Sequence, residues 1–497
     1  MGDSGIFIPL EDTEGIVCEL REQSCEIFLK IWWIYLLLAV FLYLLIPMKI
    51  QRLPYSLLLF LVFCLGVQLD LYSQGGFQLP EGKKRDKLSF KLVNNLAVIP
   101  VEVNGKKLSF LLDTGVNSTL LFSLSEIDSV QINNVTPVKI RGLGDGGDIE
   151  AMKSVNNRVK VGKAVDKNHM LYVIFDEKIN FSPRMGVPIH GVIGYDFFKD
   201  FVVKTNYDSE VITIYDPDTY EPKRCKSCET FDIVMSKNKP YIKNKIIANN
   251  TTYDVTLLID SGASDALWLF DEKYGISHSP KNYFEDFLGL GLSGGVNGKR
   301  SKIEQVSIGS FFFNNVNVAY PDSLALRNLA LNDNRQGTLG SDILRRFTVI
   351  MDYQSKKITL RKGSFYSRPF HYNMSGIIVE HSGMVPIKSV RNSLSKSIDI
   401  EQSNSTASGV NISVNPLFTF FLTPKFVVAE LRKGSPADLA GVFIGDEILS
   451  INGKQFYKWT LAEVNTLFSS KSGKKIVLEI YRNGLKFRKR FTLKEIL

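Results

Sequence analysis

At 497 residues the chain is too long for one compact core, which sets an expectation of roughly two to four domains. A hydrophobic share of 44% beside 22% charged residues excludes a chain that is disordered over most of its length. The net charge of +9 is a mild excess, gathered partly at Lys486, Arg488, Lys489 and Arg490, where it reads as the solvated face of a strand; no nucleic-acid fold signature goes with it, so nucleic acid is not an expected partner.

Two apolar runs open the chain. Ile31 to Met48 is long enough to cross a bilayer, and the shorter Leu57 to Val67 follows Lys49 and Arg52. Residues 1–73 read in two ways. From Met48 there is a basic start, an apolar middle and a small residue at Ser73, the layout of a secretory signal peptide that would make Met48 the working start. The other reading is a two-helix hairpin anchor with Lys49 and Arg52 inside and the acidic tail (Asp3, Glu11, Asp12, Glu14, Glu19) outside. Both put everything after about residue 74 outside the cytoplasm, membrane-anchored, periplasmic or secreted. The membrane is a partner only if the apolar segment is retained.

The middle of the chain repeats itself. FLLDTGVNSTLLF around Asp113 matches LLIDSGASDALWLF around Asp260, and GVIGYDFFKDFVVKTNYDSEVITIYD matches GTLGSDILRRFTVIMDYQSKKITLRK. Gly194 follows Asp113 by 81 positions and Gly340 follows Asp260 by 80, while Gly142 and Gly289 each follow their aspartate by 29. Each repeat is a series of short Val-, Ile-, Leu-, Phe- and Tyr-rich runs broken by Gly, Asn and Asp, with a brief helical stretch after the second glycine landmark. The expectation is two homologous β lobes, residues 88–220 and 229–363, sharing one cleft and joined near DPDTYEPKRCKSC.

In each lobe an apolar strand ends in Asp113-Thr114-Gly115 or Asp260-Ser261-Gly262, which delivers a carboxylate to a hydrophobic wall. The hydroxyls of Thr114 and Ser261 are placed to lock the loop to the partner lobe, and Gly115 and Gly262 let backbones approach. Two carboxylates brought together cannot both ionise cheaply and share one proton. That pair suits hydrolysis of an unactivated amide by a bound water: the ionised acid takes a proton from the water and the protonated one polarises the peptide carbonyl, with no metal and no cofactor.

These motifs resemble the retropepsin-like and pepsin-like aspartic peptidases, particularly bacterial two-lobed members that carry a PDZ domain; the likeness covers about residues 88 to 363. The resemblance implies that Asp113 and Asp260 form the catalytic dyad and that Thr114 and Ser261 join an interlobe hydrogen-bond grip. It also implies that Val192-Ile193-Gly194 and Thr338-Leu339-Gly340 brace the two loops. The glycine-rich segments Gly142 to Gly147 and Gly289 to Gly295, with Gly142, Leu143, Gly144, Gly289, Leu290 and Gly291, would be flap-like hairpins. They depart from the pepsin pattern in carrying Leu143 and Leu290 rather than a tyrosine.

Competing motifs fail on context. Gly142-x-Gly144-x-x-Gly147 and Gly289-x-Gly291-x-x-Gly294 fit a dinucleotide fingerprint but lack the strand before and the helix after. Gly291 to Gly295 fits a nucleophile elbow without its strand-turn-helix setting. The five histidines, at 169, 190, 278, 371 and 381, form no HExxH and read as surface or loop residues. Of five cysteines only Cys225 and Cys228 are close, which suits a small local disulfide or two free thiols better than a metal or redox centre.

Beyond the second lobe, residues 364–409 read as a linker on the strength of the polar stretch SLSKSIDIEQSNSTASG, and residues 410–497 form a separate module. Its strand, the turn Gly434-Ser435-Pro436-Ala437, then Gly441, Gly445-Asp446 and Ile451-Asn452-Gly453 stand in the order seen in bacterial PDZ domains, and a helix from about Thr460 to Ser469 and two last strands complete it. The fold class expected is thus mainly β: two aspartic-peptidase lobes, an α/β PDZ domain and an N-terminal hydrophobic segment. The resemblance implies capture of an extended peptide or a protein C-terminus on a sheet edge. The apolar-Gly-apolar carboxylate loop is missing, NPLF at 415 to 418 being the nearest candidate, so docking onto the peptidase lobes is an equal reading. As a whole the chain reads as an endopeptidase acting on exported or envelope polypeptides; a non-catalytic peptide-binding scaffold and a membrane-tethered PDZ adaptor are the alternatives.

Overall fold

The computed structural model describes residues 5–7, 75–124, 129–222, 224–270, 280, 282–326, 335–392 and 416–497. The two apolar runs before residue 74 lie outside these, as does His278; among the described residues no helix is long and apolar enough to cross a membrane.

Both halves of the peptidase-like region start from a tight hairpin. In the first, Leu96–Val103 and Lys106–Leu112 are joined by Asn104-Gly105, both at positive φ (48° and 88°), the backbone that a two-residue turn matching the strand twist demands. In the second, Lys239–Ala248 and Thr251–Ile259 turn at Asn249-Asn250, with φ 50° and 60°. The second strand of each hairpin runs straight into its aspartate. It pairs in parallel with a three-residue strand, Gly191–Ile193 or Gly337–Leu339, which pairs antiparallel with Thr119–Leu121 or Leu267–Leu269. Those short central strands are buried on both faces, which is why they read as unbroken apolar runs.

The beginning and the end of each repeat build a common floor. Three strands from each half form a six-stranded sheet in the order Cys228–Asp232, Lys357–Lys362, Phe347–Asp352, Val202–Asn206, Val211–Tyr215, Arg85–Ser89, and the halves meet where Val202–Asn206 pairs with Phe347–Asp352. One hydrophobic cluster runs from Phe110 and Ile193 through this sheet to Ile259 and Leu339, so the two lobes share a core. Cys225 and Cys228 are joined as a disulfide in the crossover between the halves.

The C-terminal module has a sheet in the order Ile377–Asn392, Pro416–Leu431, Glu447–Ile451, Lys475–Arg482, Leu485–Thr492, with helix Leu461–Phe468 beside it. That helix is closed at its start by a reciprocal capping box between Thr460 and Glu463. Lys486, Arg488 and Arg490 are exposed along the last strand, as the alternation of that stretch predicts.

Three expectations need correction. Residues 364–392 are no linker: Phe370, Tyr372 and Met374 are buried and Ile377–Asn392 is a strand of the module, hidden in the sequence because Glu380, His381, Ser382 and Gly383 interrupt its apolar alternation. The loop that leads into this first strand is Asn373–Gly376, whereas residues 416–418 open the next strand and pair with Val390 to Asn392 at the far end of the hairpin. Two histidines are core residues: His169 is held between Asp166 Oδ2 (2.8 Å) and Thr119 Oγ1 (2.7 Å), and His190 is buried against Ser109.

Candidate active site

Asp113 and Asp260 come together where the two lobes meet, each directly after the end of a strand, Lys106–Leu112 or Thr251–Ile259. The Asp113 amide donates to Ile193 O (2.9 Å) and the Asp260 amide to Leu339 O (3.0 Å), so the parallel partner strand of each lobe sets where its aspartate emerges. The turn that follows returns an amide to each carboxylate: Gly115 N to Asp113 Oδ1 (2.7 Å) and Gly262 N to Asp260 Oδ1 (2.9 Å). Those glycines are required. A Cβ on Gly262 would lie 2.1 Å from Asp113 Oδ2, and one on Gly115 2.9 Å from the Asp260 carboxyl, so each lobe's turn packs directly on the other lobe's acid.

The hydroxyls cross between lobes as the motif predicts. Thr114 Oγ1 donates to Ile259 O (2.7 Å) and accepts from Ser261 N (2.9 Å). In mirror fashion, Ser261 Oγ donates to Leu112 O (2.9 Å) and accepts from Thr114 N (3.0 Å). Four bonds with one pseudo-twofold pattern therefore fix the spacing of the carboxylates. Gly194 and Gly340 pack against the backs of the loops, where a Cβ would fall 2.3 Å from Asp113 O and 2.2 Å from Asp265 O.

Both acids are almost wholly removed from solvent. Burial, then the charge of Asp260, pushes the Asp113 carboxyl well above the ordinary aspartate range; its bond with Asp260 acts the same way, against the Gly115 amide and the charge of Lys239. Burial raises Asp260 as well, but there the bond from Asp113, the Arg335 and Lys239 charges and the Gly262 amide all favour the ionised form. The two carboxyls therefore titrate as one pair, both held toward the protonated form by burial. Lys239, Arg335 and the buried Tyr353, whose hydroxyl donates to Thr114 O (3.5 Å), are parts of this environment that the sequence reading did not single out. Burial, reinforced by the two nearby carboxyls, raises the Tyr353 phenol well above its usual range and keeps it neutral.

The glycine-rich segments of the two lobes meet each other tip to tip. In the second lobe Phe284–Gly291 and Gly294–Ile308 form a hairpin with Leu292-Ser293 at its tip; in the first, Val135–Ile140 and Ile149–Val161 are joined by a longer loop carrying Gly142, Leu143 and Gly144. Ser293 ties the tips together. Its amide donates to Leu143 O (3.0 Å), its carbonyl accepts from Gly146 N (2.7 Å), and its hydroxyl accepts from Gly142 N (3.0 Å) and donates to Gly147 O (3.1 Å). A Cβ on Gly291 would meet Leu143 O at 2.0 Å, and one on Gly144 would meet the Ser293 carbonyl carbon at 2.6 Å, so glycine is what allows backbone to lie on backbone. The leucines exchange places: Leu143 is buried in a cluster with Ala263, Trp268 and Phe270 of the second lobe, and Leu292 in one with Val116, Leu120 and Phe122 of the first. Leu290, which stands in the second repeat where Leu143 stands in the first, is half-buried against the same first-lobe cluster, and Leu292 is the leucine buried in it. Among the described residues no group of three His, Cys, Asp or Glu side chains gathers in a way that would hold a metal ion.

Known proteins share parts of this chain. Residues 99–197 match the family model described as aspartyl protease, and residues 427–482 match that of a PDZ domain, so the chain joins an aspartyl-protease region to a PDZ domain. Among solved structures it is similar to the aspartic proteinase from Irpex lacteus, at 13% identity and a TM-score of 0.36 over 57% of this chain and 99% of that one.

Proposed function

We propose that the chain is an aspartic endopeptidase that cleaves exported or envelope polypeptides through a water activated between Asp113 and Asp260. The observation that carries this reading is the meeting of two buried carboxyls, one from each repeat, whose spacing is set by the Thr114 and Ser261 bonds and whose pKa values burial raises together. Ionised Asp260 takes a proton from the attacking water as its oxygen bonds to the scissile carbonyl carbon, and Asp113 gives its proton to the carbonyl oxygen. The neutral tetrahedral diol collapses as a proton passes to the leaving nitrogen; the C–N bond breaks, and acid and amine leave with one water consumed. No acyl-enzyme forms and the pair regains its single proton.

The place outside the cytoplasm rests on the two apolar runs before residue 74, and a Cys225–Cys228 disulfide is compatible with it. Cleavage of a mixed peptide library, read by mass spectrometry across pH with Asp113→Asn and Asp260→Asn as controls, tests the mechanism. Both substitutions are expected to abolish cleavage, and turnover that survives either would rule out the dyad.

A further inference from the structure

A PDZ groove lies between a sheet-edge strand and a helix, and it takes a ligand by adding a strand to that edge while backbone amides of the preceding loop receive the ligand's terminal carboxylate. Here the edge strand is Ile377–Asn392, the helix is Leu461–Phe468 and the loop is Asn373–Gly376. The loop's amides are already used. Asn373 Oδ1 accepts from Ser375 N (3.0 Å), Gly376 N (3.1 Å) and Ser375 Oγ (2.7 Å), and Ser375 Oγ accepts from Ile377 N (3.0 Å). Asn373 Nδ2 donates to Ile377 O (2.7 Å), which locks the amide in this orientation. A neutral side-chain carbonyl of the chain itself therefore stands where a ligand carboxylate would be received, in a loop wholly withdrawn from water.

Both walls of the groove are covered as well. The one-turn helix Ser182–Met185 of the first lobe packs against the edge strand, with Arg184 reaching Glu380 Oε2 (3.3 Å) on that strand and Glu430 Oε1 (2.7 Å) on the next. Gly186, which ends that turn, sits so close to Leu461 at the start of the groove helix that a Cβ there would be 3.1 Å from Leu461 Cβ and Cδ1. Asn465, one turn on, donates to Asn94 of the first lobe at 3.4 Å. The same guanidinium of Arg184 lies 4.6 Å over the ring of Phe287, in the second lobe's flap strand Phe284–Gly291. The module holds that strand a second time through Arg432, stacked 4.1 Å over Phe284.

We propose that the PDZ groove is filled in cis by the Ser182–Gly186 segment of the first lobe, so that the module does not read free chain ends and serves instead to clamp the second lobe's flap strand through Arg184. The partner of this surface is the chain itself. Neither the filling of the groove nor the readouts below require turnover.

Full-length Asp113→Asn protein, which leaves any peptide intact, is titrated with random-sequence peptides bearing either a free carboxylate or a carboxamide end, followed by fluorescence polarisation. Acid and amide series are expected to agree within about twofold, and a preference of about tenfold for the acid would overturn the proposal. Hydrogen exchange in the same background then compares Arg184→Ala with the double variant Glu380→Gln/Glu430→Gln, whose half-exposed side chains can be changed without disturbing a core. Both are expected to speed exchange about fivefold or more in 377–382, 461–468 and 284–291 together while the strands beneath the dyad stay protected. Unchanged exchange at those three segments in both variants would show that the groove is not held by the lobe.

Discussion

Replacing Thr114 by valine keeps the branched shape and removes only the hydroxyl, which isolates the interlobe grip from packing. Two bonds vanish: the one to Ile259 O, an acceptor on a fully buried residue, and the one from Ser261 N, which is half-buried. An orphaned buried group costs about 1–3 kcal/mol and a half-buried one about 0.5–1.5 kcal/mol, so the loss expected is about 2–4 kcal/mol. Ser261→Ala makes the mirror cut, orphaning Leu112 O and Thr114 N, and is expected to cost a similar amount. Because the two hydroxyls each accept the other residue's amide, the double variant should fall short of the sum by about 0.5–2 kcal/mol. Urea unfolding followed through the buried Trp268 of the second lobe reads these differences, and library cleavage should show kcat reduced about tenfold or more with KM little changed, since the carboxylate spacing rather than the binding wall is loosened. Single variants within about 0.5 kcal/mol of the parent, or strict additivity of the pair, would mean that the grip does not carry the lobe contact.

Three further outcomes follow from the same geometry. Both dyad acids have folded pKa values above their unfolded ones, so the folded chain holds more protons in the window between; stability from the pair is full below the unfolded value of about 3.9 and is lost as pH rises through the folded values. Asp113→Asn should accordingly raise the thermal midpoint more at pH 8 than at pH 4 while abolishing cleavage, and an equal shift at both pH values would contradict the raised pKa. Gly291→Ala drives a Cβ to 2.0 Å from Leu143 O, a backbone atom that cannot step aside, so the flap tips must separate; kcat/KM is expected to drop about 10- to 100-fold, and full activity would mean that the closed tips are dispensable. Arg300 is buried between Asp265 Oδ1 (2.8 Å) and Asp286 Oδ2 (2.9 Å), so Arg300→Met strands two carboxylates and should cost about 3–5 kcal/mol in urea unfolding, a loss that Asp286→Asn in the same chain should partly restore.

The paired aspartates, their hydroxyl neighbours and the glycines behind them were legible because duplication prints them twice at one spacing, and each acts within a few residues of its own strand end. What lay beyond the sequence is what depends on where other elements arrive. Lys239 and Arg335 bear on the dyad only once the second lobe's hairpin and the stretch before Gly337–Leu339 close on it, and nothing in their neighbours marks them. Leu292 and Ser293 escaped because the repeat spacing marks Leu290, which lies half-buried against the same first-lobe cluster that takes Leu292 fully; the crossing of leucines is a contact between lobes, with no period in either. The first strand of the PDZ module was missed for a different reason. Its inward positions run Ile377, Val379, Val385 and Ile387, but His381 and Gly383 fall between them on the same face and break the apolar series at its middle.

The six-stranded floor has a consequence for anyone who would divide the molecule. Its midline is a ladder between Val202–Asn206 and Phe347–Asp352, one strand from each repeat, with apolar side chains such as Val203 and Met351 packed beneath. A half severed at the crossover would carry three strands ending in a bare row of amides and carbonyls above an uncovered greasy underside. Such an edge seeks a mate, and the nearest one in shape is a second copy of the same half, so isolated repeats should self-associate rather than persist as monomers.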